Sequence, residues 1–268
     1  MKFLPEKERS LTKIGRKYGI QRQTLSRHLK ALGKEVINYQ NKCRIDPTVF
    51  DKIDTEEKAY WLGFLYADGN ISSEGYRLEV NLSVKDLNHL LKFKKFLKLE
   101  TDLLVDETKC RLAVRNKTIW NNLNQKGCIP CKSLKLKFPS ISIFESLDLV
   151  RHFIRGYFDG DGSIGIYRKE EISFISTNEF LIELEKYLGI KGYIRNKTSK
   201  NWPNKAFELK YSSLKARKIA NLIYKDATIY LQRKYNVYKL FCLLEEESSR
   251  RKSSKIGESW DANTEVSN

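Results

Sequence analysis

Two stretches, AYWLGFLYADGNI at residues 59–71 and HFIRGYFDGDGSI at residues 152–164, decide the fold of this 268-residue chain. They align along their whole length at an offset of 93 residues, and similar elements follow each stretch in the same order. Because the two copies share one pattern, the secondary structure predicted for one copy also applies to the other. The sequence therefore predicts a duplicated unit of two halves.

Hydrophobic periodicity predicts the elements of each half. YRLEVNLSV (76–84) alternates apolar and polar residues, as a strand buried on one side does. It is followed by a helix at 86–99, a hairpin at 103–114 and a helix at 116–127. The second half repeats this order with a strand at 170–176, a helix at 178–189, a hairpin at 193–211 and a helix at 214–224. Each half is then αββαββα, and antiparallel sheets with one apolar face predict the α+β class.

The helix that begins each stretch is apolar on nearly every side, which is typical of a helix in a core. One side carries small residues four apart, Gly63 with Ala67 and Gly156 with Gly160. Glycine inside a helix costs up to about 1 kcal/mol relative to alanine, so we expect an offsetting gain from close approach of two helix backbones. We also expect Gly69 and Gly162 to end the two helices in the left-handed conformation.

Packing of the two small faces would bring Asp68 and Asp161 side by side at the C-terminal ends of their helices. Each carboxylate there meets the negative end of the helix dipole, and the two carboxylates also repel each other. Cations between them remove both penalties, and Mg²⁺, which keeps bound waters, suits phosphate chemistry. A single Asp-Gly pair is more often a plain turn. Two copies in matching helices of a basic protein favour a metal site.

The charge of the chain calls for a polyanionic partner. Its formal net charge is +17, from 50 Lys and Arg against 33 Asp and Glu. Nucleic acid is the first candidate, because dispersed positive charges gain affinity by releasing counterions from phosphates. A membrane is disfavoured, since no long uncharged apolar run occurs and the start MKFLPEKERS has no signal-peptide core. We expect an intracellular, cytoplasmic protein, with an organelle left open.

Residues 1–45 carry 12 Lys and Arg against three Glu, so more than half of the net charge lies there. Apolar residues recur at helical spacing on both sides of Gly19, which predicts two short helices around a tight turn. The second helix, which starts near Gln21, has the polar and basic side chains of a recognition helix. Its candidate DNA-binding residues are Arg22, Gln23, Thr24, Arg27 and Lys30. The pattern favours a helix-turn-helix, and a helical hairpin with a solvated basic face is the alternative.

The segments WLGFLYADG (61–69) and IRGYFDGDG (154–162) resemble the two motifs of single-chain LAGLIDADG homing endonucleases, which mobile elements such as introns encode. The likeness extends over about residues 46–245. It implies a monomer with pseudo-twofold symmetry, in which each half lays a curved antiparallel sheet in the major groove of double-stranded DNA. It also implies Mg²⁺-dependent hydrolysis of both strands of a long target.

The resemblance also assigns site residues. It implies that Asp68 and Asp161 are metal ligands, beside the carbonyls of Ala67 and Gly160. Tyr66 stands where the motif has an earlier acid, which Asp159 keeps. That position does not usually hold metal in the family, so the departure leaves the expected metal site intact.

Basic residues near the scissile phosphates are a further implication of the family. The segments CIPCKSLKLKFP (128–139) and ATIYLQRKYNVY (227–238) lie late in the two halves. Candidates to stabilise developing charge or to polarise the attacking water are Lys132, Lys135, Arg233 and Lys234. For each of them, a solvated role or one in positioning phosphate is the alternative.

We expect the polar faces of the strands to recognise the DNA sequence, because their side chains suit contacts with base edges and phosphates. The candidates are Arg77, Glu79, Asn81, Ser83, Arg111 and Arg115 in the first half, and Tyr193, Arg195, Lys197, Lys200 and Lys210 in the second. Because the two sets differ, we expect a DNA target that is only partly palindromic.

The five cysteines are an odd number in a chain too large to need a disulfide framework. Cys128 and Cys131 form a C-x-x-C, but no histidine pair is spaced to complete a zinc site. We therefore expect two buried thiols in a turn.

The domain prediction has four segments: a helix-turn-helix at 1–45, LAGLIDADG halves at 46–145 and 146–245, and a polar, disordered tail at 246–268. Two other functions remain for this fold. A transcriptional regulator would only bind DNA, and binding alone gives no reason to keep both Asp68 and Asp161. An RNA maturase would bind intron RNA through the same basic surface, and the sequence does not argue against it.

Overall fold

The computed structural model describes residues 11–33, 45–197 and 206–264, and for residues 12, 13 and 249–264 it describes the backbone only. The chain divides into two compact units, Met1–Arg44 and Ile45–Asn268. Of the predicted site residues, Lys200 lies outside the described residues.

Two short helices joined by a glycine turn form the described part of the first unit. Helix α1 spans Leu11–Tyr18 and α2 spans Arg22–Ala31. Gly19 between them has a φ of +66°, a left-handed conformation that glycine adopts without steric cost. The Ile20 N–H donates to the Gly15 carbonyl at 2.9 Å and closes the turn. A role of this pair in DNA binding stays a prediction.

The second unit contains two halves with the same order of elements. The first half consists of α3 (Glu56–Asp68), β1 (Gly69–Ser72), β2 (Arg77–Ser83), α4 (Leu87–Phe96), β3 (Leu104–Val105), β4 (Lys109–Arg115) and α5 (Lys117–Gln125). The second half consists of α6 (Asp148–Asp161), β5 (Gly162–Ile166), β6 (Glu170–Ser176), α7 (Asn178–Leu188), β7 (Tyr193–Asn196), β8 (Phe207–Ser212) and α8 (Leu214–Tyr224), and α9 (Gln232–Thr264) follows it.

Each half forms an antiparallel sheet of four strands, in the order β1-β2-β4-β3 in the first and β5-β6-β8-β7 in the second. The registers correspond, because Gly69 pairs with Val80 and Gly162 pairs with Phe174. Both partners are fully buried, so each sheet turns the same face to the core. The predicted α+β class with two αββαββα halves is confirmed.

Helices α3 and α6 pack against each other through their small residues and form the centre of the second unit. A Cβ on Gly63 would lie 1.9 Å from the Phe153 carbonyl oxygen, and one on Gly156 would lie 1.9 Å from the Tyr60 carbonyl oxygen. One turn further along, a Cβ on Gly160 would lie 2.3 Å from the Cβ of Ala67. The two helix backbones are therefore in direct contact, as close packing of the small faces requires.

The prediction of a left-handed glycine at the end of each motif helix is wrong. Gly69 has φ −73° and ψ 134°, and Gly162 has φ −88° and ψ 165°, so both are extended. Each glycine begins a strand directly after the helix, without a turn between them. A Cβ would lie 2.5 Å from the Leu65 carbonyl oxygen in the first case and 2.1 Å from Phe158 Cδ2 in the second. Close approach, and not a positive φ, requires glycine here.

Helix α9 runs through the segment that was predicted to be a disordered tail. It spans Gln232–Thr264, so the predicted boundary between residues 245 and 246 falls inside one continuous helix. The composition of 246–268 has few apolar residues, but residues 245–256 contain no Pro and no Gly. Nothing in that stretch ends a helix that is already formed at Gln232. Across the described residues, no helix has both the length and the apolar character needed to cross a membrane.

The C-x-x-C pair does not match the expected pair of buried thiols. Cys128 is buried, whereas Cys131 is exposed and has a φ of +52°. The prediction of two buried thiols is therefore wrong for Cys131.

Candidate active site

The two motif aspartates lie at the same end of the α3–α6 pair. Asp68 Oδ2 lies 3.2 Å from the point where a Cβ on Gly160 would stand, so this carboxylate reaches across to the last turn of α6. Asp161 ends that turn. The structure thus brings Asp68, Asp161, Ala67 and Gly160 together, as the packing of the small faces predicts.

Both carboxylates are held in an unfavourable environment for negative charge. Burial, reinforced by the charge of Asp161, raises the pKa of Asp68 to about 6. Desolvation also raises the pKa of Asp161, although this residue is exposed at the rim of the site. In the described part of the chain, no hydrogen bond or ion pair joins either carboxylate to another group. The oxygens of both acids are therefore available to an external cation.

A lysine stands beside the motif end of each half. The Lys132 ammonium donates to the Gly69 carbonyl, and the Lys234 ammonium donates to the Gly162 carbonyl at 2.5 Å. These two carbonyls are equivalent, because each belongs to the glycine that follows a motif helix. Lys234 is buried and also donates to the Phe158 carbonyl at 2.6 Å, and burial lowers its pKa to about 8. The positive charges of both ammonium groups oppose the rise that burial causes in the pKa of Asp161.

The other two basic candidates are not placed in the same way. Arg233 donates from Nε to Asp86 Oδ2 at 3.2 Å. Three positive charges oppose the rise in the pKa of Asp68, those of Lys234, Lys132 and Arg233, and that of Arg233 has the smallest effect. Lys135 is exposed, and no contact between its side chain and the motif ends occurs among the described residues. Of the four basic candidates, which all lie within the described ranges, Lys132 and Lys234 therefore contact the motif ends, whereas Lys135 and Arg233 do not. The sequence alone does not distinguish the two pairs.

The residues at this end fit a hard divalent cation. The site offers two carboxylates and main-chain carbonyls, and oxygen ligands of this kind are those that Mg²⁺ takes. Over the described ranges, no group of three or more His, Cys, Asp or Glu side chains converges. Mg²⁺ commonly uses one or two carboxylates and keeps several waters, so a pair of acids is sufficient. A cleft lined by Asp161, Lys132, Ala67 and Tyr66 opens beside them.

Two buried side chains behind the site were not assigned a role by sequence analysis. Asp159 is fully buried and accepts hydrogen bonds from the Tyr60 hydroxyl (2.7 Å), the Tyr224 hydroxyl (2.5 Å) and the Leu231 N–H (2.7 Å). Tyr66 is also fully buried and donates its hydroxyl hydrogen to the Lys126 carbonyl. The only sequence signal was their shared motif position, because their partners lie far away along the chain.

The polar face of the first sheet carries a charged cluster around Glu79. This residue is buried, pairs with Arg77, and accepts from Arg111 at 2.9 Å and from Asn81 at 2.8 Å. The strand register places Arg115 opposite Arg77 on the same face. Glu79, predicted to read bases, thus holds the two arginines beside it.

The second sheet has a similar cluster built from different residues. Glu208 is buried and accepts from Arg195 at 2.6 Å and from Lys197 at 3.1 Å. Lys210 pairs with Glu171 at 2.7 Å, and Tyr193 is exposed opposite Lys210. The two polar faces therefore differ in detail, as expected for halves that meet different sequences. Contact of either face with DNA stays a prediction.

The candidate residues of α2 lie mostly at the surface of the first unit. Arg22, Gln23, Arg27 and Lys30 are exposed, whereas Thr24 is half-buried and its carbonyl contacts His28 Nδ1 at 3.0 Å. This face of the helix is thus accessible to a partner.

Comparison with known proteins identifies a domain in the second half of this unit. Residues 148–224 match the family model described as a LAGLIDADG-like domain. The chain carries a LAGLIDADG-like domain. This domain contains Asp161 and the whole second sheet, and the first half of the unit has the same order of helices and strands.

Several solved structures have a fold similar to that of this chain. The LAGLIDADG meganuclease I-AabMI bound to uncleaved DNA has a TM-score of 0.51 at 11% identity, over 72% of this chain and 91% of that chain. The meganuclease I-SmaMI bound to uncleaveable DNA with a TTGT central four has a TM-score of 0.50 at 15% identity, over 75% of this chain and 93% of that chain. No curated protein sequence matches the chain. The LAGLIDADG fold is thus shared with proteins of very different sequence.

The raised pKa of Asp68 predicts that metal-free protein is stabilised by Asp68→Asn. A carboxyl whose folded-state pKa lies above its ordinary value of 3.8 costs stability as pH rises from about 4 to about 6. At pH 8 in a chelator we expect the variant to gain about 1 kcal/mol, or about 2–4 °C in Tm. The gain should vanish near pH 4, and Mg²⁺ should raise the Tm of the wild type only.

Asp106→Asn is the matched control for this measurement. The Asp106 carboxylate accepts backbone hydrogen bonds from Thr108 and Lys109, which lower its pKa. Its replacement should therefore not raise the Tm at pH 8. An Asp68→Asn protein with the wild-type Tm at pH 8 in chelator would contradict the electrostatic description of the site.

Proposed function

We propose that the protein is a site-specific endonuclease that cleaves both strands of a long duplex DNA target with a divalent metal ion, Mg²⁺ by preference. The observation that carries the proposal is the pair of carboxylates of Asp68 and Asp161, which meet at adjacent helix ends between two lysines. A protein that only binds DNA gains nothing from this arrangement, because it raises the free energy of the folded state. Because each half contributes one acid and one lysine to this cluster, a monomer would be able to cut both strands.

Asp68 and Asp161 would hold the metal, with the carbonyls of Ala67 and Gly160 as further oxygen ligands. When bound, the metal lowers the pKa of a coordinated water and offsets the negative charge that develops on phosphate. Lys132 and Lys234, one in each half, would stabilise the same developing charge from the protein side. The Lys132 ammonium donates to the Gly69 carbonyl, and the Lys234 ammonium donates to the carbonyls of Phe158, Gly160 and Gly162, so both positive charges are held at the motif ends.

The two sheets would supply the recognition of the target. The basic residues held by Glu79 in one half and by Glu208 in the other are suited to guanine edges and phosphates. The DNA seen in the I-AabMI and I-SmaMI structures supports double-stranded DNA as the partner. Because the clusters differ, the target would be only partly palindromic.

Selection of cleaved duplexes from a randomised library tests this function directly. The purified full chain is incubated with the library in Mg²⁺, in Ca²⁺ and in chelator, and the new ends are sequenced. We expect one enriched, partly palindromic consensus in Mg²⁺ and none in chelator. A library without enrichment in Mg²⁺, or one with the same ends in chelator, would overturn the proposal.

The first unit is proposed as an additional DNA-binding module that lengthens the target. Deletion of residues 1–45 should weaken binding by about tenfold or more, because several phosphate contacts are lost. It should also shorten the footprint at one end, whereas cleavage of the bound target persists. Footprinting of the selected duplex measures both effects, and an unchanged footprint would refute the role.

A triple substitution separates the helix surface from the bulk of this unit. Arg22→Gln, Arg27→Gln and Lys30→Gln together remove three exposed charges of α2 and keep the chain at full length. The triple variant should reproduce most of the loss in affinity and lower the salt dependence of binding.

A further inference from the structure

We propose that Tyr66 and Asp159 are positioning residues, each of which holds the segment that carries the lysine of its own half. The two residues occupy the same position of the two motifs, 93 residues apart. Tyr66 would place Lys132, and Asp159 would place Lys234. The inference rests on the proposed function, because it assigns to each residue the cutting of one DNA strand.

In the first half, Tyr66 fixes the start of the lysine segment. Its hydroxyl donates to the Lys126 carbonyl, and Cys128 Sγ donates to the Leu65 carbonyl at 3.5 Å. Gly127 between them has a φ of +91°, and a Cβ there would lie 2.1 Å from the Tyr66 hydroxyl oxygen. Residues 126–128 therefore contact the last turns of α3. A few residues later, the Lys132 ammonium donates to the Gly69 carbonyl.

In the second half, Asp159 does the same with reversed hydrogen-bond roles. Its carboxylate accepts from the Leu231 N–H at 2.7 Å, and the Leu231 carbonyl accepts from the Lys234 N–H at 3.1 Å. Asp159 therefore lies at the N-terminus of α9, where the positive end of the helix dipole stabilises a carboxylate. Lys234 lies in the first turn of that helix, and its ammonium returns to the Gly162 carbonyl.

Neither residue is placed to act on the substrate itself. Tyr66 and Asp159 are both fully buried, and the hydrogen bonds of Asp159 engage both of its carboxylate oxygens. The ring of Tyr66 backs the cleft, but its hydroxyl donates to the Lys126 carbonyl and is therefore not free to act on a substrate. The Tyr66 hydroxyl donates to a carbonyl, whereas the Asp159 carboxylate accepts from an N–H, so neither side chain could replace the other. Each half thus uses a different residue to position its lysine.

Strand-resolved cleavage tests the assignment. The Tyr66→Phe and Asp159→Asn full-length proteins are compared with the wild type on the selected duplex, with each strand labelled in turn. Loss of a correctly placed lysine should slow the cutting of one strand about tenfold in each variant, and the two variants should affect opposite strands. Equal slowing of both strands in either variant, or no slowing, would overturn the proposal.

Tyr238→Phe is the matched control for loss of a buried hydroxyl. The Tyr238 hydroxyl donates to Asn221 Oδ1 at 3.1 Å and ties α9 to α8, and its loss leaves the hydrogen bonds of Tyr66 and Asp159 in place. This variant should leave the ratio of the two strand-cutting rates unchanged. A shift in that ratio as large as in Tyr66→Phe would show that any weakening of the fold produces the effect.

Acylation of the lysines tests the anchors without any cleavage. The proteins are treated briefly with an amine-acylating reagent and each lysine is followed by mass spectrometry. We expect reactivity to rise several-fold at Lys132 in Tyr66→Phe only, and at Lys234 in Asp159→Asn only. Unchanged or uniformly raised reactivity would overturn the anchoring. If the wild type cuts no duplex, the proposed function fails while this measurement still decides the anchoring.

Discussion

Asp68→Asn and Asp161→Asn are each expected to abolish double-strand cleavage of the selected duplex, with a loss of at least about 10³-fold. Each substitution keeps the shape of the side chain but removes the charge that would hold a divalent cation. Binding should be unchanged or tighter, because a negative charge is removed from a surface that approaches phosphates. Single-turnover cleavage in Mg²⁺ and equilibrium binding in Ca²⁺ measure the two effects separately.

Asp106→Asn is again the control, since Asp106 is exposed and, among the described residues, its carboxylate accepts from Thr108 and Lys109 of its own turn. It should cleave at the wild-type rate. Wild-type cleavage by either motif variant would show that its carboxylate is not required, and loss of binding together with cleavage would indicate a structural role. Either result contradicts the assignment of the metal site.

Gly156→Ala is expected to destabilise the second unit by about 3 kcal/mol or more, although alanine is the better helix former. The added Cβ would lie 1.9 Å from the Tyr60 carbonyl oxygen, which belongs to the backbone of the facing helix and has no freedom to move aside. Gly63→Ala meets the Phe153 carbonyl in the same way. Thermal unfolding should show a decrease of about 6–12 °C in Tm for each variant.

Gly160→Ala provides a matched test, because its Cβ would meet a side chain and not a backbone atom. The contact is 2.3 Å to the Cβ of Ala67, so Gly160→Ala should destabilise alone and should recover most of the loss when combined with Ala67→Gly. No compensating substitution exists for Gly156. A Gly156→Ala protein as stable as the wild type would mean that α3 and α6 are not in backbone contact.

The sequence determined the duplication, the order of elements and the two acids. Alternation along 76–84 predicts β2, and the small residues of α3 and α6 predict that the two helices touch. These features are local or repeat at a fixed offset, so each copy supports the other. The sequence was wrong where a local preference met a tertiary constraint, as at Gly69, where entry into a strand replaced the expected turn.

Only the tertiary structure decided which basic residues reach the site and what holds them there. Lys132 and Lys135 lie three residues apart and look equivalent in the sequence, but only Lys132 returns to a motif carbonyl, that of Gly69, 63 residues earlier in the chain. Asp159 finds the Leu231 N–H 72 residues later. Contacts at such separations depend on how α3, α6 and the two sheets pack, and no periodicity within one element encodes them.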